Sequence, residues 1–129
     1  MKENVNRKNF GLWLISLSGL YLVHDFLAKT ASISIVNKGV SFGLENGLVA
    51  VSIILCALIL IWGMKENKLY LWVLLAGGWS NLIDRFRFDS IRDYWKIGET
   101  GIYNNINDWV IALAIILFLK EILWKKKSK

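Results

Sequence analysis

The stretch G-L-V-A-V-S-I-I-L-C-A-L-I-L-I-W-G-M, from Gly47 to Met64, holds no charged side chain. A helix of roughly 20 apolar residues crosses the hydrocarbon core of a bilayer, which is about 30 Å thick. The stretch therefore predicts a transmembrane helix over about residues 47–64. The whole chain agrees, because 55% of its 129 residues are hydrophobic, seven are Trp and none is Pro. Such an apolar share is high for a soluble domain.

Three shorter uncharged runs flank this stretch, at Phe10–Val23, Leu69–Ile83 and Trp109–Leu119. Each by itself could be a buried helix of a soluble protein. Lysines at or beyond the ends of these runs can reach the interface, which allows each run to lengthen into a span. We predict an all-α membrane protein with a single domain, residues 1–129. Its four transmembrane helices are expected at about 10–25, 47–64, 69–85 and 108–124.

The distribution of charge predicts the topology. Four spans place both termini on one side of the membrane, together with the connection at residues 65–68. That side carries ten Lys or Arg against three Glu, a net of +7, whereas the connections 24–46 and 84–108 carry six basic residues against seven acids, a net of −1. The positive-inside rule makes the first side cytoplasmic. We therefore predict a multi-pass protein with cytoplasmic N and C termini.

The connections between the spans have patterns of their own. The string A-S-I-S-I-V, Ala31–Val36, alternates as a strand does and precedes turn formers at residues 37–39, which predicts a small extracytoplasmic β-like cradle. Residues 84–108 mix aromatic and charged side chains, as an interfacial segment between the third and fourth helices does. The short connection Lys65–Lys68 predicts an antiparallel hairpin of the second and third helices.

Composition argues against several classes of function. A single cysteine, Cys56, allows no intramolecular disulfide, and a single histidine, His24, allows no multi-histidine zinc site within one chain. The net charge of +6 could indicate nucleic acid, but the basic tail at residues 125–127 follows a predicted span and faces lipid headgroups. We expect no metal, no cofactor and no nucleic acid, and contacts with membrane lipids instead.

Five acidic residues lie at or near the outer ends of the predicted spans. They are Asp25, Asp84, Asp89, Asp93 and Asp108. An ionised Asp near the bilayer centre costs about 2.5–3.5 kcal/mol on insertion scales, so acids at span ends call for a functional explanation. We expect these five to converge at the outer face.

Ordinary structural interpretations exist for these acids and their neighbours. Asn81, Asp84 and Arg85 share one helix face and could form a solvated helix end with an ion pair. Asp25 and Lys29 could form an i,i+4 ion pair.

The remaining polar residues have equally ordinary interpretations. Asp108 directly precedes an apolar run and could be the N-cap of a helix. Asp93 could form a surface ion pair with Arg92. His24 is interpreted as an interfacial aromatic residue rather than a base.

Four strings resemble motifs of the lipoprotein signal peptidase family. G-G-W-S-N-L-I-D-R-F-R-F-D-S-I-R-D-Y, Gly77–Tyr94, is similar to N-x-I-D-R-x-x-x-G-x-V-x-D-F, and N-N-I-N-D, Asn104–Asp108, is similar to F-N-x-A-D. D-F-L-A-K, Asp25–Lys29, resembles D-x-x-x-K, and N-K-G-V-S-F, Asn37–Phe42, resembles N-x-G-x-x-F. The four strings occur in the family's order, each at the predicted outer edge of a span.

The resemblance implies a membrane aspartyl endopeptidase with Asp93 and Asp108 as its catalytic aspartates. Roles in substrate binding or support are implied for the other matched positions, Asn37, Gly39, Phe42, Asn81, Asp84, Arg85, Asn105, Asp25 and Lys29. The implied substrate is a prolipoprotein, cut before a diacylglyceryl-modified cysteine. The implied location is the bacterial cytoplasmic membrane, with the active site near its outer face, and we expect a monomer.

The chain departs from the family motifs at four positions. Asp89 replaces Gly, Tyr94 replaces Phe, Asn104 replaces Phe and Asn107 replaces Ala. Asn107 adds a polar amide beside the expected catalytic pair, where it could alter the sharing of a proton between the two carboxyls.

The expected chemistry is water activation by carboxylates, because no metal, Ser–His pair or Cys–His pair is expected. Two nearby aspartates share one proton, so that one acts as base and the other as acid. Two alternatives remain. The chain could be a non-catalytic membrane binding or scaffold homologue, or a small transporter whose acids line an ion path.

Overall fold

The computed structural model describes residues 2–37 and 47–128, with side chains for 7–36 and 49–128. Within these residues the chain forms four helices and four short strands. The helices are α1 (Lys2–Thr30), α2 (Gly47–Glu66), α3 (Leu69–Phe88) and α4 (Ile106–Lys127). The strands are β1 (Ile35–Asn37), β2 (Ile91–Asp93), β3 (Trp95–Lys96) and β4 (Tyr103–Asn104). The predicted mostly helical architecture with a small β element is confirmed.

The described helices carry large apolar surfaces. Arg7–Thr30 and Val49–Glu66 are each long and apolar enough to cross a membrane, and only 17% and 11% of these stretches are buried inside the protein. The core helix of a soluble protein would be mostly buried, and soluble proteins rarely expose such large apolar patches. The number of spans stays a prediction, and so do the boundaries given for them.

The second and third helices form the predicted hairpin. Only Asn67 and Lys68 separate α2 from α3, and Asn67 has a φ of 50°. Near the turn, a Cβ on Gly63 would lie 3.6 Å from Leu71 Cβ, and farther along a Cβ on Gly78 would lie 3.4 Å from Cys56 Sγ. Because earlier residues of α2 contact later residues of α3, the two helices are antiparallel neighbours.

Helix α3 lies at the centre of the described fold. Its residues Trp72, Leu75 and Ala76 form a buried cluster with Trp13 and Leu17 of α1. This cluster occupies the middle of the helices, and polar contacts lie beyond it at both ends.

Helix α4 packs antiparallel against α3. Lys68 Nζ lies 2.9 Å from Glu121 Oε1 at one end, and Asn81 Nδ2 lies 3.4 Å from Asp108 Oδ1 at the other. Between them, a Cβ added at Gly77 would lie 3.0 Å from the carbonyl oxygen of Asn107. Gly77 therefore permits a close approach of the two helices next to the turn that carries Asp108.

The strands form two antiparallel pairs. Strand β1 pairs with β2, with Ile35 opposite Asp93 and Asn37 opposite Ile91. The predicted strand over residues 31–36 is thus correct only at its end, because strand structure begins at Ile35. It also continues through Asn37, which the sequence had suggested as a turn residue.

The second pair is a hairpin of β3 and β4, with Trp95 opposite Asn104. The backbone N–H of Tyr94 also donates to the carbonyl oxygen of Asn104, at 3.0 Å. The hairpin therefore brings Asp93, at the end of β2, close to Asn105, at the start of α4.

Asp89 ends helix α3 in the left-handed conformation, with a φ of 54°. Its backbone N–H donates to the carbonyl oxygen of Arg85 at 2.9 Å. A helix C-terminus commonly places Gly in this conformation, and Asp tolerates it better than most residues. This explains why the family motif has Gly at this position. Asp89 is exposed, in contrast to the buried Asp84 and Asp93.

Candidate active site

The first turn of α4 satisfies all of its backbone donors through side chains. The N-cap is Asn105, whose Oδ1 accepts from the N–H groups of Asn107 (2.8 Å) and Asp108 (3.2 Å). Asp108 Oδ2 accepts in return from the N–H of Asn105, at 3.1 Å. The fourth N–H, that of Ile106, donates to the Tyr94 hydroxyl at 3.1 Å. The interpretation of Asp108 as the N-cap was wrong, because the helix begins earlier and Asp108 is its third residue.

Asn105 also joins the two expected catalytic aspartates. Its Nδ2 donates to Oδ1 of Asp93 at 2.8 Å, and its backbone N–H donates to Asp108. Asp93 is 4% exposed and Asn105 is fully buried, whereas Asp108 is partly exposed. The fold therefore brings Asp93 and Asp108 to the same asparagine, with one carboxylate enclosed and the other reachable from outside.

Asn81 approaches Asp108 from α3. Its Nδ2 lies 3.4 Å from Asp108 Oδ1, and its Oδ1 accepts from Asn107 Nδ2 at 2.9 Å. Asn107 is fully buried, and its own Oδ1 has no hydrogen-bond partner within the described residues. Asn107 thus orients the Asn81 amide so that its nitrogen faces Asp108.

A second buried cluster surrounds Asp84. Its Oδ1 accepts from Arg92 Nη2 at 2.7 Å, and its Oδ2 accepts from Arg92 Nε at 3.1 Å. Oδ2 also lies 2.8 Å from His24 Nε2. Asp84 and His24 are both fully buried. The sequence-based interpretations of Asp84 as part of a solvated helix end and of His24 as an interfacial aromatic residue were therefore wrong.

Arg92 links this cluster to helix α1. Its Nη2 donates to Asp25 Oδ1 at 2.9 Å, in addition to Asp84. The interpretation of an Arg92 and Asp93 surface ion pair was wrong, because Arg92 pairs with Asp84 and Asp25 while Asp93 is buried. The predicted pair of Asp25 and Lys29 is confirmed, at 2.6 Å, with Lys29 exposed. Matched residues that are far apart in sequence thus form one ion-pair network.

Tyr94 connects the two clusters. Its hydroxyl lies 3.2 Å from His24 Nδ1 and accepts from the N–H of Ile106. Burial, the largest influence, raises the pKa of Tyr94 above its usual value, so the side chain stays a neutral hydroxyl. The connection runs from Asp84 through His24 and Tyr94 to the helix that carries Asp108.

Arg85 lies beside a cavity of about 220 Å³ between α2 and α3. Asn81 and Arg85 supply polar groups to its lining, and Cys56, Leu82 and Ile91 supply apolar ones. Within the described residues Arg85 has no ion-pair or hydrogen-bond partner, in contrast to Arg92. The cavity therefore offers apolar surface next to a guanidinium that has no partner among the described residues.

Three matched positions lie partly or wholly beyond the described residues. Asn37 is described only by its backbone, which pairs with Ile91. Gly39 and Phe42 lie outside the described residues.

Sequence reasoning missed the roles of His24, Tyr94 and Arg92. For two of these residues the sequence itself contained an indication. His24 is the only histidine of the chain, within a largely apolar helix, and Tyr94 is a departure from the family motif. Arg92 offered no such indication, because its partners Asp84 and Asp25 lie on helices α3 and α1, outside its own strand.

Comparison with known proteins shows the family to which this chain belongs. The family model described as Signal peptidase (SPase) II matches residues 11–124. A lipoprotein signal peptidase of Wolinella succinogenes is 32% identical over 103 residues, covering 70% of this chain and 70% of that protein. A lipoprotein signal peptidase of Anaplasma phagocytophilum is 28% identical over 130 residues, covering 87% of this chain and 83% of that protein.

Two solved structures share the fold. Both are described as a bacterial membrane enzyme structure obtained by the in meso method, one at 2.3 Å and one at 1.9 Å resolution. Each superposes with a TM-score of 0.72 at 18% identity, covering 92% and 90% of this chain respectively and 92% of the solved chain. At this identity the likeness concerns the fold alone.

Proposed function

Because this chain belongs to the signal peptidase II family, we propose that Asp93 and Asp108 are the catalytic pair with which it cuts its substrates. The chain is a lipoprotein signal peptidase, an aspartic endopeptidase of the bacterial membrane that removes signal peptides from lipoprotein precursors.

The observation that carries the assignment is the position of Asn105. Its side-chain nitrogen lies 2.8 Å from Asp93, and its backbone nitrogen lies 3.1 Å from Asp108. One buried residue therefore contacts both carboxyls, which supports their assignment as a pair. Asp84 and Asp25 are instead both paired with Arg92, so they serve as structural anions in this proposal.

The proposed mechanism divides the work between the two aspartates. In an aspartic pair, one carboxyl acts in its ionised form and the other in its protonated form. The ionised carboxylate takes a proton from the attacking water, and the protonated carboxyl donates to the scissile carbonyl oxygen. Asn105 and Asn81 keep Asp108 in position during these proton transfers.

The proposed substrate is a precursor with a diacylglyceryl-modified cysteine, cut on the amino side of that cysteine. Helical backbone is already hydrogen-bonded internally, so the segment that is cut must unwind near the catalytic pair. Arg85, which has no partner among the described residues, is suited to donate to the freed carbonyl groups of this segment. The adjoining cavity of about 220 Å³ offers apolar surface to the lipidated part.

The proposed topology has four membrane spans with both termini in the cytoplasm. It is supported by the basic termini and by exposed apolar side chains on α1, α2 and α4, for example Ile15, Ile54 and Ile116. The catalytic pair then lies near the outer face, at the end of the helices opposite Lys68 and Glu121. We propose that the chain acts as a monomer in direct contact with membrane lipids.

The test is cleavage of a purified, diacylglyceryl-modified prolipoprotein in detergent, followed by its shift on a gel. Wild type should cut it, whereas Asp93→Asn and Asp108→Asn should each abolish cutting. Asp89→Asn is the matched control, because Asp89 is an exposed aspartate of the same segment and should cut normally. Undiminished cutting by either catalytic variant would overturn the assignment. If folded wild type bound the precursor without cutting it, the non-catalytic binding alternative would lead.

A further inference from the structure

Tyr94 departs from the family motif, which has Phe, by a single hydroxyl group. That hydroxyl makes two hydrogen bonds, at 3.2 Å to His24 Nδ1 and at 3.1 Å to the N–H of Ile106. His24 belongs to α1, and Ile106 begins α4. The one atom that distinguishes Tyr94 from the motif residue therefore joins two helices that are far apart in sequence.

We propose that His24 and Tyr94 are positioning residues for cleavage, forming a hydrogen-bonded chain from Asp84 to the first turn of α4 and thereby holding Asp108 in place. The inference rests on the proposed role of Asp108 as a catalytic residue. Neither His24 nor Tyr94 touches the substrate in this account, and both act through the helix that carries Asp108.

The donors and acceptors of this chain match in only one arrangement. If His24 is neutral and carries its proton on Nε2, it donates to Asp84 Oδ2 at 2.8 Å. Its Nδ1 then accepts from the Tyr94 hydroxyl, whose oxygen accepts from Ile106 N–H. Each polar atom of this hydrogen-bonded chain from Asp84 to Ile106 thus has a partner. A doubly protonated His24 would donate to Tyr94 from Nδ1, leaving the tyrosine's own proton without that acceptor.

The surroundings of His24 favour a permanent chain over a transient contact. His24 and Asp84 are fully buried, and Tyr94 is 7% exposed. The charged and titratable groups around the imidazole are Asp84 of α3, Tyr94 after β2 and Tyr21 of α1. Farther from the ring, Arg92 of β2 pairs with Asp84 and with Asp25 of α1, and Arg87 of α3 donates to the Tyr21 hydroxyl. Buried donors that lose their partners are costly, so the chain resists local rearrangement.

The position of Ile106 explains why the chain matters for the reaction. Its N–H is one of the four at the start of α4, and the other three are satisfied by Asn105 and Asp108 themselves. Tyr94 is therefore the only described group outside α4 and its cap that holds this turn through a backbone N–H. Without it, the described hydrogen bonds from this turn to the rest of the fold run only through the side chains of Asn105, Asn107 and Asp108.

A positioning role and a merely structural role have different kinetic consequences. A displaced Asp108 acts less well on the attacking water, and small misplacements of a catalytic group cost far more in rate than in binding. We therefore expect kcat to fall and KM to stay nearly constant. The acidic limb of the pH profile should also move, because it reports the protonation of the catalytic carboxyls, which depends on their spacing. A structural role would lower thermal stability and leave kcat and the pH profile of the folded enzyme unchanged.

The experiment compares Tyr94→Phe, His24→Leu, His24→Gln and the double variant His24→Leu/Tyr94→Phe in the prolipoprotein assay. Tyr94→Phe is expected to fold, because Phe is the motif residue. We expect Tyr94→Phe and His24→Leu each to lower kcat by about tenfold, in line with the rate cost of misplaced groups. The double variant should lose no more than the worse single variant, because both remove the same chain. His24→Gln, whose amide can donate to Asp84 and accept from Tyr94, should recover part of the rate.

Wild-type kcat and pH profile in folded Tyr94→Phe and His24→Leu would overturn the inference, whatever their melting temperatures. Multiplying losses in the double variant would also overturn it, because the two residues would then act independently. Asp93→Asn and Asp108→Asn are run in parallel. Full activity of these two variants would reject the proposed catalytic pair, an outcome distinct from failure of the positioning chain.

Discussion

Asn105 and Asp108 cap each other at the start of α4: the Asn105 side chain accepts from the Asp108 N–H at 3.2 Å, and the Asp108 side chain accepts from the Asn105 N–H at 3.1 Å. This reciprocal arrangement is a capping box. Here it has a second consequence, because the Asn105 amide also donates to Asp93. One residue thus caps the start of a helix and contacts both carboxyls.

The two roles of Asn105 can be separated by substitution. Asn105→Ala removes the cap and the donor to Asp93, so it should lower the free energy of unfolding by about 1 kcal/mol and also reduce cleavage. Asn105→Ser retains a capping oxygen but has no amide to donate to Asp93, so it should reduce cleavage with little loss of stability. Thermal unfolding in detergent and the prolipoprotein assay measure the two effects. Wild-type cleavage by Asn105→Ser would contradict the second role.

Asn107 should tune the rate without being required for it. Asn107→Ala removes the donor to Asn81 Oδ1, and the loss of one hydrogen bond, worth about 0.5–1.5 kcal/mol, should slow cleavage about two- to tenfold. The free energy of unfolding should change by less than about 1 kcal/mol, because the variant also removes a buried oxygen that has no partner among the described residues. Asn81→Ala provides the comparison. A larger loss of rate in Asn107→Ala than in Asn81→Ala would contradict the inference that Asn107 acts through Asn81.

Gly77 and Gly78 should respond differently to the same substitution. A Cβ at Gly77 would lie 2.8 Å from Ile111 Cγ1 and 3.0 Å from the Asn107 backbone oxygen, so Gly77→Ala should destabilise the protein by about 1–3 kcal/mol. A Cβ at Gly78 would lie 3.4 Å from Cys56 Sγ alone, a contact that a small shift relieves. Gly78→Ala should therefore be neutral or stabilising, since Ala favours a helix by about 1 kcal/mol. Melting temperatures of the two variants provide the test, and equal losses would refute the proposed close approach.

Asp89→Gly should stabilise the protein slightly. The left-handed conformation at a φ of 54° costs an ordinary residue roughly 1–2 kcal/mol and costs glycine nothing, although glycine loses more entropy on folding. We expect a gain of less than about 1 kcal/mol for Asp89→Gly and a loss for Asp89→Ala, with cleavage unchanged in both. A melting temperature of Asp89→Gly below that of wild type would argue against strain at this position.

Much of the helical framework could be predicted from the sequence. The uncharged runs placed all four described helices, and the four-residue connection predicted the α2 and α3 hairpin. Helix ends were less predictable, because α4 begins at Ile106, two residues ahead of the predicted start at Asp108, with the polar Asn105 as its cap. The motif resemblance named Asp93, Asp108 and Asn105, and the fold brings these three together, although their catalytic roles stay predictions until variants are assayed.

By itself, the sequence determined the positions of the helices, the apolar surface and the family, because these depend on local hydrophobicity and on short ordered motifs. Only the tertiary structure decided which polar groups meet. Arg92 pairs with Asp84 and Asp25 rather than with its neighbour Asp93, and His24 reaches α4 through Tyr94. Buried polar groups must find partners wherever the packed helices place them. Since that placement depends on the packing of α1, α3 and α4 together, no local stretch of sequence reveals it.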